Sequence, residues 1–356
     1  MALERADVLV VGLGPAGASA AAAAARSGLR VIAVDRKREP GRPVQCAEFV
    51  PAIVGIDVGD LAASTRQRIR SMLTFVERDA PDVKENFPGH MLDRAAFDGA
   101  LVASAEAAGA ACRFGATVRH IHSDGTLELA DGRKMAAGVL VGADGPRSAV
   151  GRAIGQVNTE LVETRQITVP LARPHEATDI YLSADIPGGY GWLFPKGDVA
   201  NLGAGVDPPF KRRLKGIVSR LHAAAVESGQ AGARVLGLTG GLIPVGGMLK
   251  PVGALGCTLA LLAGDAAGLA NPVTGAGIAA AVHSGRLAGQ AAAAWAAGDA
   301  NAGGAYEEEL DDVFKAALDR AVRRRRELAA AARAGRALDK AALRRGWIAY
   351  PEYWTA

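Results

Sequence analysis

Gly12-Leu-Gly14-Pro15-Ala16-Gly17 separates an apolar, β-branched run at 7–11 from a helix-forming, Ala-rich run at 16–27, and Gly28 ends that run before a second apolar stretch at 29–34. Strand, tight glycine turn, helix and strand within about 30 residues make a βαβ unit, whose crossover is right-handed in a parallel sheet. Each glycine has its own task. Gly12 permits the turn, Gly14 lets backbone approach a diphosphate, and Gly17 lets the helix lie close on the strand. The helix start then offers free amides and the positive end of its dipole to phosphate. Asp35 closes the second strand, where a carboxylate accepts hydrogen bonds from both hydroxyls of an adenosine ribose, and it disfavours a 2′-phosphate in spite of the Arg36-Lys37-Arg38 that follows.

Two further glycine motifs follow. Gly142-Ala-Asp144-Gly145 places a carboxylate and a turn after the short apolar strand 139–141, where Asp144 either shapes the turn or meets a ligand. Gly264-Asp265-Ala-Ala-Gly268 follows the buried strand 259–262 and leads through Pro272, Gly275 and Gly277 into a long helix. A carboxylate at Asp265 can hold hydroxyls of a ribityl chain, a group that nicotinamide dinucleotides lack. The second helix start, brought up by Pro272, Gly275 and Gly277, favours negative charge on the pyrimidine edge of a flavin. Three such motifs in this order describe one extended ligand, FAD.

The rest of the chain divides around these motifs. Residues 40–90 read as an excursion from the parallel sheet, 93–109 as a helix, and 116–121 as a strand. Residues 126–130 and 133–137 read as a hairpin about Asp131-Gly132. Strands of moderate alternation at 164–171, 178–186, 190–195 and 199–206, with a basic amphipathic helix at 209–228, suggest an inserted antiparallel layer. Helical sequence fills 303–345. The expected fold is α/β: a Rossmann-like FAD-binding domain from 1–55, 90–155 and 246–300, an antiparallel β-sheet substrate domain from 56–89 and 156–245, and a helical C-terminal region, 301–356.

Composition limits the alternatives. Hydrophobic residues make up 49% of the chain, enough for a sizeable core. The three cysteines, Cys46, Cys112 and Cys257, are odd in number and widely spaced, which predicts neither a disulfide framework nor a zinc site and points to a reducing compartment. The start of the chain runs straight into a strand, and the Ala-rich run 276–297 is interrupted by His283, Arg286 and Gln290, so a soluble, cytoplasmic protein is expected, at most peripheral to a membrane. The net charge is only +4, yet residues 315–346 carry about +8, with Arg323 to Arg326 in a row. Such a run is either a solvated helical face or a surface for anionic headgroups. Nucleic acid is not expected, because no recognition motif accompanies the charge.

With these motifs in place, the chain resembles the geranylgeranyl reductase family of FAD-dependent oxidoreductases, within the group that also holds the flavin aromatic hydroxylases. The narrower markers are Pro43-Val-Gln-Cys46-Ala47 and Tyr190-Gly-Trp192-Leu-Phe194-Pro195. Asp93-Arg94-Ala-Ala-Phe97-Asp98, Ile243-Pro244-Val-Gly-Gly247 and Asn271-Pro272-Val-Thr-Gly275-Ala-Gly277-Ile278 join them. The resemblance implies that Ala16, Asp35 and Arg36 contact the adenosine diphosphate half of FAD and that backbone of Val118 meets the adenine. It places Cys46 and Ala47 on a loop beside the flavin and Arg94 at the phosphate–ribityl region. Asp265, Gly277 and Ile278 hold the ribityl chain and the ring. The chain departs from the family in carrying Asp35 where Glu is common and Ala47-Glu48 where Gly-Gly is frequent.

The activity implied is saturation of isoprenoid double bonds by hydride from reduced flavin, with NAD(P)H or a reduced carrier as electron donor and a hydrophobic or isoprenoid lipid as substrate. Cys46 either lines the substrate cavity or fills space. Tyr190, Trp192 and Phe194 share one strand face, as packing between layers or as an apolar wall over the flavin. Rival readings are a flavin monooxygenase, a halogenase-like enzyme, and a flavin- or lipid-binding protein without turnover.

Overall fold

Val8, Leu9, Val10 and Val11 are all buried, as a strand covered on both faces requires. In the computed structural model, which describes residues 3–52, 61–333 and 338–355, that strand, Leu3–Val11, lies inside a mainly parallel sheet. The order across the sheet is Val252–Leu255, Thr258–Leu262, Lys134–Gly142, Leu3–Val11, Val31–Asp35 and Ala111–Phe114. Neighbours are parallel except for the outer hairpin Val252–Leu255/Thr258–Leu262. The helices Pro15–Arg26 and Ile278–Ala296 pack on each other over this sheet with side chains little larger than a methyl group. A Cβ at Gly285 would lie 2.1 Å from the Ala16 carbonyl oxygen, and one at Gly289 would lie 2.5 Å from that of Ala20, so only glycine permits this approach.

A second sheet runs Gly237–Thr239, Leu161–Pro170, Val199–Val206, Gly191–Lys196, Ala177–Leu182, Ser71–Val76 and Asp82–Lys84, with Leu242–Pro244 also pairing Leu161–Pro170. It is antiparallel except where Ser71–Val76 meets Ala177–Leu182. Helix Leu214–Glu227 covers one face through Leu214, Ile217 and Val218 against Ile167, Leu202 and Ala204. Phe49–Pro51, Gly89–Leu92 and Thr65–Ile69 form a small antiparallel sheet beside it. Helices Ala302–Leu310 and Ala316–Arg333, joined by a π-helical turn Asp311–Lys315, lead to the short helices Lys340–Arg345 and Pro351–Trp354.

Several sequence expectations need correction. The hairpin turn at Asp131-Gly132 forms, with Gly132 at φ 85°, but 133–137 and 139–141 are one continuous strand, Lys134–Gly142, because Gly138 extends without a break. The expected strand 116–121 starts only at Val118, and Ala111–Phe114 is the strand that joins the parallel sheet. Its polar face hid it: Arg113 reaches across to make two 2.7 Å bonds with Glu4. The expected helix 209–228 opens as a 3-10 turn, Pro208–Arg213. Residues 334–337 of the expected helical stretch, and 53–60 around the expected boundary at 55/56, lie outside the described residues.

Candidate functional site

Parallel strands align their C-terminal ends on one edge, and four adjacent ends here carry the motif residues. Thr258–Leu262 leads to Asp265, Lys134–Gly142 to Asp144, Leu3–Val11 to the Gly12 loop, and Val31–Asp35 ends on Asp35. Strands lie about 4.8 Å apart, so these features span about 14 Å in a line. A Cβ at Gly12 (φ 95°) would fall 2.3 Å from the Ala143 carbonyl oxygen, and one at Gly17 would fall 1.8 Å from the Gly12 carbonyl oxygen. At Gly14 a Cβ would meet nothing within 4 Å, so this face of the loop is open to a ligand. Pro15 takes the first helical position, and no acidic residue stands in the first turn to oppose an anion.

Asp35 already organises the loop. Its carboxylate accepts from the Leu13 amide at 2.7 Å and the Lys37 amide at 2.8 Å. The Gly115 and Ala116 amides donate to the carbonyls of Lys37 and Asp35, which brings the start of Val118–Ile121 close to this end of the line; Arg36 is exposed there. Asp144 accepts from the Ser148 hydroxyl and the Ala149 amide, both at 2.5 Å, so its carboxylate shapes its own turn.

Asp265 differs. Among the described residues no protein donor is recorded for its carboxylate, which lies against Gly277, and burial pushes its pKa up to about 6 against the pull of Arg94. Gly277 caps the helix Ile278–Ala296, and Asn271 ties the intervening loop by accepting from the Val273 and Thr274 amides, both at 3.0 Å. Pro272 is buried in that loop, and Gly275 turns it at φ 69°. The Arg94 guanidinium pairs with Asp98 at 3.0 Å; burial opposes its charge, while Cys46 and Asp98 hold it firmly protonated. A set comprising an acceptor without a donor, a cation, an open glycine face and a helix start fits the ribityl and diphosphate parts of FAD.

The Cys46 loop is held on the second sheet by residues the sequence did not single out. Glu48, 5% exposed and at φ 69°, accepts from Lys196 Nζ with both oxygens at 2.8 Å, from Asn201 at 2.8 Å and from the Arg94 amide at 3.1 Å. Gln166 donates to the Cys46 carbonyl at 3.2 Å and accepts from the Trp192 indole at 3.0 Å. The signal available was Gln166 and Asn201, polar residues within otherwise buried strands. The Cys46 thiol accepts from the Glu48 amide at 3.2 Å; together with burial, its proximity raises the pKa of the Tyr190 phenol. Ala47 is partly buried, and its carbonyl faces Asn201.

Tyr190 precedes the strand Gly191–Lys196 and donates to the Thr274 carbonyl at 2.6 Å, joining the aromatic strand to the third-motif loop. Trp192 and Phe194 are 6% and 5% exposed. They cluster with Phe49, Leu343 and Trp347, and the Trp347 ring lies 4.8 Å from Tyr190. The C-terminal segment therefore covers the aromatic wall. Arg324 holds that segment, donating from a buried position to the carbonyls of Glu352, Tyr353 and Thr355. Arg325 binds Asp207 and the Gly188 carbonyl, and Arg326 binds Glu160. Three arginines of the run thus have intramolecular partners, while Arg323 and Arg326 are exposed, so the run is neither wholly a solvated face nor wholly a free basic surface. His283 is only half satisfied: Arg286 reaches Nδ1, while Nε2 is buried without a partner among the described residues. Among the described residues no helix is long and apolar enough to cross a membrane, and no group of three or more metal-ligating side chains occurs.

Known proteins share the sequence pattern and the fold. A family model described as lycopene cyclase protein matches residues 7–172. The chain is 33% identical over 293 residues to a digeranylgeranylglycerophospholipid reductase of Methanosarcina acetivorans, covering 75% of this chain and 70% of that protein. The crystal structure of a geranylgeranyl bacteriochlorophyll reductase-like protein of Thermoplasma acidophilum superposes with a TM-score of 0.81 at 27% identity, covering 92% and 88% of the two chains. A probable FAD-dependent monooxygenase of Pseudomonas aeruginosa shares the fold, with a TM-score of 0.70 at 20% identity and coverage of 96% and 98%.

Proposed function

The chain belongs to the geranylgeranyl reductase family of FAD-dependent oxidoreductases, and from that membership we propose that it binds FAD along the four strand ends and reduces isoprenoid double bonds of a lipid. The observation that carries this reading is the line from Asp35 through the Gly12 loop to Asp265, ending in a carboxylate without a protein donor among the described residues. A ribityl hydroxyl is the kind of donor that carboxylate lacks, and Arg94 supplies the opposite charge for the diphosphate side. Bound and reduced, FAD supplies hydride chemistry.

The protein's own part is positioning and exclusion of water. In this reading the stretches 1–55, 90–155 and 246–300 make up the cofactor domain and 56–89 and 156–245 the substrate domain, and Leu343 and Trp347 of the C-terminal region pack on the aromatic wall. Tyr190, locked on Thr274, sets the distance between the cofactor loop and the aromatic wall. For an isoprenoid chain to lie along Trp192 and Phe194, with Cys46 and Ala47 bounding it on the loop, the C-terminal segment that carries Leu343 and Trp347 has to move aside. The names of the reductase relatives support a geranylgeranyl-bearing glycerophospholipid as substrate; the electrons would come from NAD(P)H or a reduced carrier.

The test is anaerobic. Purified protein with chemically reduced FAD is mixed with geranylgeranyl lipid, and flavin reoxidation and saturated product are followed together. Asp265→Ala is expected to lose bound flavin, and Trp192→Ala to retain flavin and lose lipid reduction. In a parallel aerobic assay, substrate-dependent oxygen consumption with a hydroxylated product would replace this reading with a monooxygenase.

A further inference from the structure

The edge strand Gly237–Thr239 and the segment before it display large apolar side chains to solvent. Val235 is 49% exposed, Leu236 46% and Leu238 60%. Water contact on three large aliphatic side chains within four positions is unfavourable for a folded surface and marks a contact face. Leu238 is in register with Ile167, so it borders the sheet face covered by helix Leu214–Glu227. His222 of that helix bonds the Gly232 carbonyl at 3.0 Å, which ties helix and apolar segment together. The exposed side of this helix and its leading turn is basic: Lys211, Arg212, Arg213, Lys215 and Arg220 are all exposed, as is Arg234 beside Val235.

We propose that this face, Val235, Leu236 and Leu238 bordered by the cations from Lys211 to Arg220 and Arg234, seats the protein on an anionic phospholipid bilayer. Aliphatic side chains enter the acyl boundary, and the cations meet phosphate headgroups. This deepens the lipid-substrate reading and rests on it for its purpose. The same segment is bonded to the flavin-side loop: Thr239 donates to the Val44 carbonyl at 2.6 Å, and Gln45 donates to the Gly240 carbonyl at 3.0 Å. A bilayer seated here adjoins the loop that carries Cys46. The density of positive charge is what selects a bilayer over a second copy of the chain, since two copies apposed through this face would bring like charges together.

The test uses the full chain with vesicles of phosphatidylcholine alone or with a third phosphatidylglycerol, read by co-sedimentation. Binding is expected to the anionic vesicles and to weaken with salt. Lys215→Ala with Arg220→Ala should weaken it about ten- to thirty-fold, from two surface cations. Leu236→Asp with Leu238→Asp should abolish it, with flavin content and turnover of detergent-dispersed lipid unchanged. Reduction of lipid in detergent without binding of wild-type protein to anionic vesicles would overturn the docking face and leave the proposed activity standing. Vesicle binding lost in both variants, from a protein that reduces no isoprenoid, would sustain the face and sink the activity. A Leu236/Leu238 variant that turns a dimer into a monomer and still binds vesicles would assign the face to self-association.

Discussion

Replacing Gly285 by alanine tests the packing that holds the cofactor loop. In an ordinary helix interior, Gly→Ala stabilises by about 1 kcal/mol, because alanine loses less backbone freedom on folding. At Gly285 the added Cβ would stand 2.1 Å from the Ala16 carbonyl oxygen, whereas ordinary contact begins near 3.4 Å, so one helix must retreat by more than an ångström or tilt. Overpacking of that size costs about 1–3 kcal/mol, which outweighs the propensity gain. The cost falls on the first turn of Pro15–Arg26, whose amides would face the diphosphate in the proposed binding mode. Gly99 provides the control: it lies in helix Arg94–Ala107, and a Cβ there meets nothing within 4 Å. We therefore expect Gly99→Ala to raise stability by up to about 1 kcal/mol and Gly285→Ala to lower it by up to about 2 kcal/mol. Flavin affinity should fall, by up to about thirty-fold, in Gly285→Ala alone, since each 1.4 kcal/mol is a factor of ten. Urea unfolding of the flavin-free proteins and a flavin titration measure both. If the two alanines stabilise equally and both variants bind flavin normally, the close-approach argument is wrong.

Three other expectations follow from single contacts. The Asp265 pKa, raised by burial to about 6 from a usual 3.8, means that the folded flavin-free protein takes up a proton the unfolded chain lacks between those values. Its stability should therefore fall as pH rises from about 4 to 6, by at most about 3 kcal/mol; Asp265→Asn should flatten that slope, and an unchanged slope would reject the assignment. Glu48→Gln leaves Lys196 beside a neutral amide in a buried site and should cost about 3–5 kcal/mol, much of it recovered by adding Lys196→Met; strictly additive losses in urea would show that the pair is not coupled. Arg324→Met removes the donors to the Glu352, Tyr353 and Thr355 carbonyls, so chymotryptic cleavage after Trp347 or Tyr353 should quicken while the rest of the chain stays resistant; cleavage at the parent's rate would show that the arginine does not hold the segment.

The legible parts of this site were those whose requirements are local. Asp93 was readable as the start of a helix because a carboxylate there can accept from the Ala96 amide, as it does at 3.0 Å. The Trp192/Phe194 face followed from the two-residue period of a strand. Glu48 was read only as a departure after Cys46, since its partners Lys196 and Asn201 stand about 150 positions away in the chain. The arginine run left two readings open for the related reason that charge in a sequence carries no direction: Arg324 is 2% exposed and bonds backbone carbonyls and Glu327, while Arg323 is exposed.

What the chain states by itself is therefore its backbone punctuation: where glycine alone can turn or allow close approach, where strands must be buried on both sides, and which carboxylates stand at strand ends. Tertiary structure decided which strand ends became neighbours, and hence that Asp35, Gly12, Asp144 and Asp265 fall in one line. It also recruited Ser71–Val76 beside Ala177–Leu182 and folded the C-terminal segment over the aromatic wall. The division is physical, because dihedral and steric rules act within a few residues, whereas burial and charge pairing reward contacts between segments far apart in the sequence.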